Sequence, residues 1–249
     1  MSVLFGSTRA VLTPHYAVLT PQGLVNSVIP GWSNALINVL AAPPLGARFT
    51  MVLAQLDTDG AADFPASQRE RFVFVRSGAI RVQVGPTQAE LTAGGYGFLP
   101  AGSAHALEAA ARETRLLVFE KEYLPLPDRT PPLPVFANER EMPGVPFLGD
   151  EAVHVKQLLP DQLDFDMAVN IMAFQPGGTL PIVETHVMEH GLLMLEGQGI
   201  YRLGSDWYPV QADDSIWMGP YCPQWFVAAG KEQARYILYK DVNRDLLAG

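Results

Sequence analysis

The chain has 249 residues, of which 48% are hydrophobic and 17% charged, and its formal net charge is −9. These proportions are ordinary for a compact protein, and the length suits one large all-β domain or two smaller ones. So acidic a chain lacks the basic face that nucleic acid or an anionic membrane requires, and neither is expected as a partner.

Residues 1–12 show no basic stretch followed by a long apolar run, so no leader peptide is expected. No apolar run reaches the roughly eighteen residues of a membrane span. The single cysteine, Cys222, rules out an internal disulfide, suits a reducing compartment and reads as a small buried residue. The expected location is the cytoplasm.

Glycine and proline, 22 and 21 residues, cut the chain into short extended pieces. In order these include Phe72-Val-Phe-Val75, Ile80-Arg-Val-Gln-Val84, Leu116-Leu-Val-Phe119, Leu192-Leu-Met-Leu195, Ile200-Tyr-Arg-Leu203 and Tyr236-Ile-Leu-Tyr239. Each is β-branched or aromatic and ends on turn formers, the pattern of strands in a sandwich or barrel.

The two halves repeat. Gly78 to His105 and Gly197 to Gln224 both span 27 positions, and the offset of 119 carries Lys121 onto Lys240. Between the halves, Pro125 to Pro146 holds seven prolines in 22 residues. Proline has no N–H for a ladder, so a stiff connector rather than sheet is expected there. The implied division is an N-terminal segment (1–47), a first β unit (48–124), the connector (125–146) and a second β unit (147–249).

The second half concentrates metal-binding chemistry. Gly178-(five residues)-Glu184-Thr-His186-(three residues)-His190-(six residues)-Gly197, with Gln224 downstream, gathers two imidazoles, a carboxylate and an amide oxygen. With no thiolate, that set suits Mn(II) first, with Fe(II) and Zn(II) as alternatives. In a strand, Glu184 and His186 would share a face. His186-Val-Met-Glu189-His190 also spells a zinc-peptidase motif, but that motif needs a helix, and Pro181, Gly191 and strand-like flanks oppose one.

Each half resembles the cupin family, whose two short motifs place four metal ligands inside a jelly-roll barrel. The first half keeps the second motif as Gly94-(five residues)-Pro100-Ala-Gly102-Ser-Ala-His105. The offset puts Pro65, Ser67 and Arg71 at its other ligand positions. Proline offers no donor and a guanidinium repels cations, so this barrel is expected to be metal-free and His105 structural. In the second half Glu184, His186, His190 and Gln224 fill the ligand positions, although Asp213, Gly219 and Tyr221 erode the second motif. The resemblance thus implies an all-β chain of two tandem cupin barrels behind an N-terminal segment.

A narrower resemblance rests on His15-Tyr-Ala-Val-Leu-Thr-Pro-Gln-Gly-Leu-Val25, Ile29-Pro-Gly31, Glu184-Thr-His-Val-Met-Glu-His-Gly191, Gly197-Gln-Gly-Ile-Tyr201 and Tyr236-Ile-Leu-Tyr-Lys-Asp-Val-Asn-Arg-Asp245. These segments are similar to the (S)-ureidoglycine aminohydrolases, bicupins with Mn(II) in the C-terminal barrel. The resemblance implies an enzyme that releases ammonia from (S)-ureidoglycine to give (S)-ureidoglycolate during allantoin breakdown. It implies Glu184, His186, His190 and Gln224 as metal ligands, and Tyr201, Tyr236, Lys240 and Glu184 as groups facing a small anionic ureido substrate. Glu184 and Lys240 are the catalytic candidates, Glu184 through its non-ligating oxygen, and a homo-oligomer is implied. A lysine at the matching place in the metal-free half, Lys121, leaves Lys240 open to a purely structural reading. The rivals are another metal-dependent cupin enzyme, such as a dioxygenase or decarboxylase, and a non-enzymatic small-molecule binder.

Overall fold

Pieces bounded by glycine and proline and rich in β-branched and aromatic residues do form strands. In a computed structural model, which describes residues 8–127 and 129–240, all six pieces named above lie within strands. Residues 1–7 of the expected leaderless terminus and the tail motif Asp241-Val-Asn-Arg-Asp245 lie outside the described residues. Helix is confined, among the described residues, to the single turns Pro21–Gly23 and Pro43–Leu45. Among the described residues, no helix is long and apolar enough to cross a membrane.

The repeat is visible strand by strand. Ala79–Val84, Thr87–Thr92 and His105–Ala109 recur 119 positions later as Gln198–Leu203, Asp206–Gln211 and Gln224–Ala228. Gly78 and Gly197 share a left-handed backbone, with φ of 78° and 70°. A Cβ at Gly197 would lie 2.4 Å from the carbonyl oxygen of Gln233, so only glycine fits that turn.

The constant offset does not extend to the last strand. Arg71 pairs with Glu120, whereas its counterpart His190 pairs with Lys240, so Lys240 corresponds to Glu120 and not to Lys121. The cause is the preceding turn, residues 110–113 in the first half and 229–233 in the second, which is one residue longer. A one-residue slip moves a side chain to the opposite face of a sheet. Lys121 therefore shares the outward face of Leu117 and Phe119, while Lys240 shares the inward face of Tyr236.

Three apolar clusters follow from this alternation. One fills the first barrel, with Val73, Val75, Val82, Leu107, Leu116 and Val118 among its members. A second fills the other barrel and includes Tyr16 and Val18 from the N-terminal segment. The third lies between the barrels, where Phe49, Phe72, Phe119, Trp217 and Tyr239 pack. Each such buried side chain contributes about 1.5–3 kcal/mol, so the barrels are bound into one body. Gly191 makes the closest approach possible, since a Cβ there would fall 2.6 Å from the Phe49 ring.

Each barrel completes its sheet with a strand from outside its repeat. Tyr16–Leu19 of the N-terminal segment pairs with Ser215–Met218, and Trp32–Ala41 of the same segment pairs with Thr50–Phe64 in the first barrel. The connector corrects the expectation that it would stay outside the sheets. Val135–Asn138 pairs with Gly95–Leu99, because those four residues contain no proline and keep every N–H. Val145–Phe147 pairs with Asp150–Gln157 and tolerates Pro146 at the sheet's edge.

The barrels differ most where the site lies. In the first, Thr50–Phe64 runs unbroken for 15 residues and pairs with both Thr114–Glu122 and His105–Ala109. In the second, the corresponding strand Ala168–Phe174 stops at Gln175-Pro-Gly-Gly178, and Pro181 follows. Residues 175–189 are left as a loop stitched to Gln224–Ala228 by two isolated bridges, Thr179 with Val227 and Glu184 with Gln224.

Candidate active site

The loop 175–189 brings its polar residues to the mouth of the second barrel. Glu184 and His186 do not lie in the strand that alternation suggested, because Pro176 and Pro181 interrupt it. They are nonetheless fixed. Glu184 exchanges two backbone hydrogen bonds of 2.9 Å with Gln224, and the carbonyl of His186 accepts one of 2.7 Å from the Tyr221 N–H. Tyr221 reaches that carbonyl with a left-handed backbone, φ 58°.

Four side chains meet there. His190 Nε2 lies 3.2 Å from His186 Nε2, the two rings at right angles, and the Gln224 amide lies 3.1 Å from the same His186 nitrogen. His190 Nδ1 faces the carbonyl oxygen of Tyr239 at 3.4 Å. A carbonyl only accepts, so the His190 proton belongs on Nδ1 and its Nε2 presents a lone pair inward. Burial, reinforced by the nearby positive charges of His186 and Lys240, holds His190 well below the ordinary histidine range. Glu184 stands furthest out, with Oε2 4.0 Å from His186 Nε2.

Two ring nitrogens 3.2 Å apart, one carrying a lone pair, are satisfied either by an N–H of neutral His186 donated to His190 or by a metal ion between them. Adjacent ligands about 2.1 Å from one ion are themselves about 3 Å apart, so the spacings of His186, His190 and Gln224 fit a single cation. Exchanging the oxygen and nitrogen of the Gln224 amide presents its oxygen to the same point, and Tyr201 then accepts from the amide nitrogen instead of donating to the oxygen. Among the described residues, no three His, Cys, Asp or Glu side chains converge tightly enough to hold an ion by themselves. The cluster fits a metal when Gln224 is counted and the Glu184 carboxylate turns inward.

Beyond this cluster the interior carries the remaining predicted groups. Tyr201 is 1% exposed and donates its hydroxyl to Gln224 Oε1 at 3.5 Å, and it is also hydrogen-bonded to Tyr236. Burial raises both phenols above their ordinary range, so both remain hydrogen-bond donors. Lys240 completes the ring from the strand beside His190. Burial lowers its ammonium, and the charges of Glu184 and Asp161 oppose that shift. Burial raises Glu184, and His186 and Lys240 oppose it in turn. Catalytic and binding candidates therefore share one electrostatic neighbourhood.

Glu189 belongs elsewhere. Its carboxylate accepts the backbone N–H of Arg48 at 2.7 Å and the indole N–H of Trp217 at 3.2 Å, on the side facing the first barrel. The peptidase spacing His186-Val-Met-Glu189-His190 thus splits across two faces of an extended chain. Cys222 is buried beside Tyr201, and burial raises its thiol.

The equivalent interior of the first barrel is filled by protein. Arg71, at the place of His190, stacks its guanidinium 3.8 Å from the centre of the Phe64 ring, pairs with Glu120 at 2.6 Å and lies 3.0 Å from His105 Nδ1. Arginine only donates, so His105 carries its proton on Nε2 and gives it to the Pro100 carbonyl at 2.8 Å. Phe64 pairs with His105 as Glu184 pairs with Gln224, so Phe64, not Pro65, takes the carboxylate's place. Ser67 keeps the place of His186, because Gly102 N–H binds its carbonyl as Tyr221 binds that of His186.

With this geometry in view, the comparisons are direct. A model of the cupin domain matches residues 170–239, the barrel with the cluster. The (S)-ureidoglycine aminohydrolase of Arabidopsis thaliana is 41% identical over 247 residues, covering 97% of this chain and 80% of that one. The Escherichia coli enzyme of the same name is 36% identical, covering 98% and 94%. The chain belongs to the (S)-ureidoglycine aminohydrolase family. The crystal structure of the E. coli protein Ylba superposes with a TM-score of 0.86 at 34% identity, covering 96% of each chain. The family's two-barrel cupin fold is thus shared along nearly the whole length.

Proposed function

We propose that the chain releases ammonia from (S)-ureidoglycine to give (S)-ureidoglycolate, using one Mn(II) ion held by Glu184, His186, His190 and Gln224. The observation that carries this reading is the meeting of His186, His190 and Gln224 at spacings of 3.1 and 3.2 Å inside one barrel. Membership of a family whose relatives carry that enzyme's name supports the substrate. A divalent ion held there supplies Lewis acidity and a fixed platform for a chelating amino acid.

The protein's own groups divide the remaining work. Lys240, whose counterpart in the other barrel is the acid Glu120, supplies a positive charge for the substrate carboxylate. The phenols of Tyr201 and Tyr236 donate hydrogen bonds to the ureido oxygen and close the barrel behind it. Hydrolysis breaks the bond from carbon to the amine nitrogen and forms one to a water oxygen, and the second water proton leaves with ammonia. Glu184, the half-open carboxylate at the mouth, carries that proton from water to nitrogen. Fixed orientation of the substrate carbon sets the product's configuration.

The test is incubation of the purified protein with enzymatically generated ureidoglycine and Mn(II), with and without oxygen, following ammonia and product chirality. Oxygen-independent ammonia release with (S)-ureidoglycolate formed, and one metal per chain, is the expected result. Turnover that requires oxygen would move the chain to the oxidative cupins, and no turnover would leave it a binding protein.

A further inference from the structure

The register of the last strand takes Lys121 out of its barrel, yet it is only 9% exposed. Its ammonium donates to Asp166 twice, to the carboxylate at 2.5 Å and to the backbone carbonyl at 3.3 Å. Asp166 is itself 3% exposed, and its carboxylate also accepts the N–H of Leu124 at 2.7 Å. Asp166 belongs to the second barrel, in the loop 158–167 that joins Asp150–Gln157 to Ala168–Phe174. The same loop is fastened again to the first barrel's exit: Tyr123 donates to the Asp164 carbonyl at 3.2 Å, and Arg129 pairs with Asp164 at 3.0 Å. Leu158, Leu159, Phe165 and Met167 bury its apolar side between the barrels.

What this loop controls follows from register. Ala168, two residues after Asp166, is the strand partner of Lys240, and Lys240 is in turn the partner of His190. The other end of the loop brings Asp161 into the electrostatic surroundings of Lys240. The loop therefore borders the substrate-facing lysine from two directions, and a buried ionic anchor fastens it across to the first barrel.

We infer that Lys121, through Asp166, is a positioning residue that lets the first barrel set the placement of Lys240 in the active site of the second. The inference rests on the proposed role of Lys240 in binding the substrate carboxylate. It gives the first barrel a part in recognition of the anionic substrate.

The experiment compares wild type with Lys121→Met, Asp166→Asn, the double variant and Lys121→Arg, measuring KM, kcat, metal content and thermal midpoint. Lys121→Met removes the cation from beside a buried carboxylate, so Asp166→Asn, which keeps the shape, is the safer reporter of the same contact. Roughly a tenfold rise in KM with kcat and metal content near wild type is expected from either single change, since small misplacements of a binding group act on this scale. The double variant should bind no worse than the weaker single, and Lys121→Arg should recover most of the affinity. A lowered thermal midpoint with unchanged KM in Asp166→Asn would reduce the pair to a structural clamp and overturn the inference. If wild type itself releases no ammonia from ureidoglycine, the functional reading fails instead, and the two failures are distinct.

Discussion

Replacing Arg71 by leucine tests whether the first barrel is held together by a tethered cation. The guanidinium is 5% exposed and its partner Glu120 20% exposed, so the substitution leaves a partly buried carboxylate with only the exposed Arg69, 2.6 Å from its other oxygen, as counter-charge. Breaking a buried pair from one side costs about 3–5 kcal/mol when the charge left behind is uncompensated, and the partial exposure of Glu120 with its remaining Arg69 partner brings this case to about 2 kcal/mol. Loss of the stack on Phe64 adds about 1 kcal/mol. His105 Nδ1 also loses the donor Arg71, 3.0 Å away. A total near 3 kcal/mol is expected, a large part of the roughly 5–15 kcal/mol that holds a domain together. Urea unfolding followed by near-ultraviolet circular dichroism reads it as an earlier midpoint. The paired replacement Arg71→Leu with Glu120→Leu removes both charges, and should recover to within about 1 kcal/mol of wild type. If Arg71→Leu alone unfolds within about 1 kcal/mol of wild type, the guanidinium is not the counter-charge of that interior.

The remaining predictions concern the site and pH. Glu184→Gln should retain part of the metal and lose turnover by about 10²–10⁴-fold, the usual worth of a proton-transfer group; full turnover with metal retained would remove the carboxylate from the chemistry. His186→Ala and His190→Ala should each purify with little metal, read by elemental analysis. Tyr201→Phe should raise KM more than it lowers kcat, because a phenol that donates to bound substrate stabilises ground and transition states alike. His105 is held below its ordinary range by burial first and by Arg71 as well, with the Pro100 hydrogen bond opposing. The folded protein thus keeps His105 neutral while the unfolded chain takes up a proton below about pH 6.5, so stability falls as pH drops from there toward the lowered folded value. His105→Gln should remove up to about 1.4 kcal/mol per pH unit from that slope in urea unfolding at matched pH values.

Much of this was readable from residue order. Short β-branched runs between Gly and Pro gave the strands, and spacing from Gly78 and Gly197 gave the repeat, because tight turns that only glycine permits keep their position in a barrel. The donors Glu184, His186, His190 and Gln224 could be picked out because their residue types and spacing carry the information without the backbone. Spacing could not supply register. A single extra residue in the turn 229–233 moved the match of Lys240 from Lys121 to Glu120 and reversed the face, and a matching lysine was enough to hide it. The connector strand Val135–Asn138 was obscured by surrounding prolines, although its own four residues are good strand formers.

The corrected register also explains how one barrel can hold chemistry that the other cannot. At the paired positions the first barrel has Arg71 and Glu120, an ion pair that the exposed Arg69 also joins, packed on Phe64 and His105. Its charge is cancelled internally, and nothing of that pair is left to attract a ligand. The second has His190 and Lys240, two groups that cannot neutralise each other, with Glu184 at the mouth. Such a set is left needing an anion for the lysine and a cation for the imidazoles and carboxylate. On the proposed function, the same strand pair is a structural plug in one copy and the receptor for a metal-chelating anion in the other. The difference lies in four side chains and in the prolines at 176 and 181 that free the loop bearing Glu184 and His186 from the sheet.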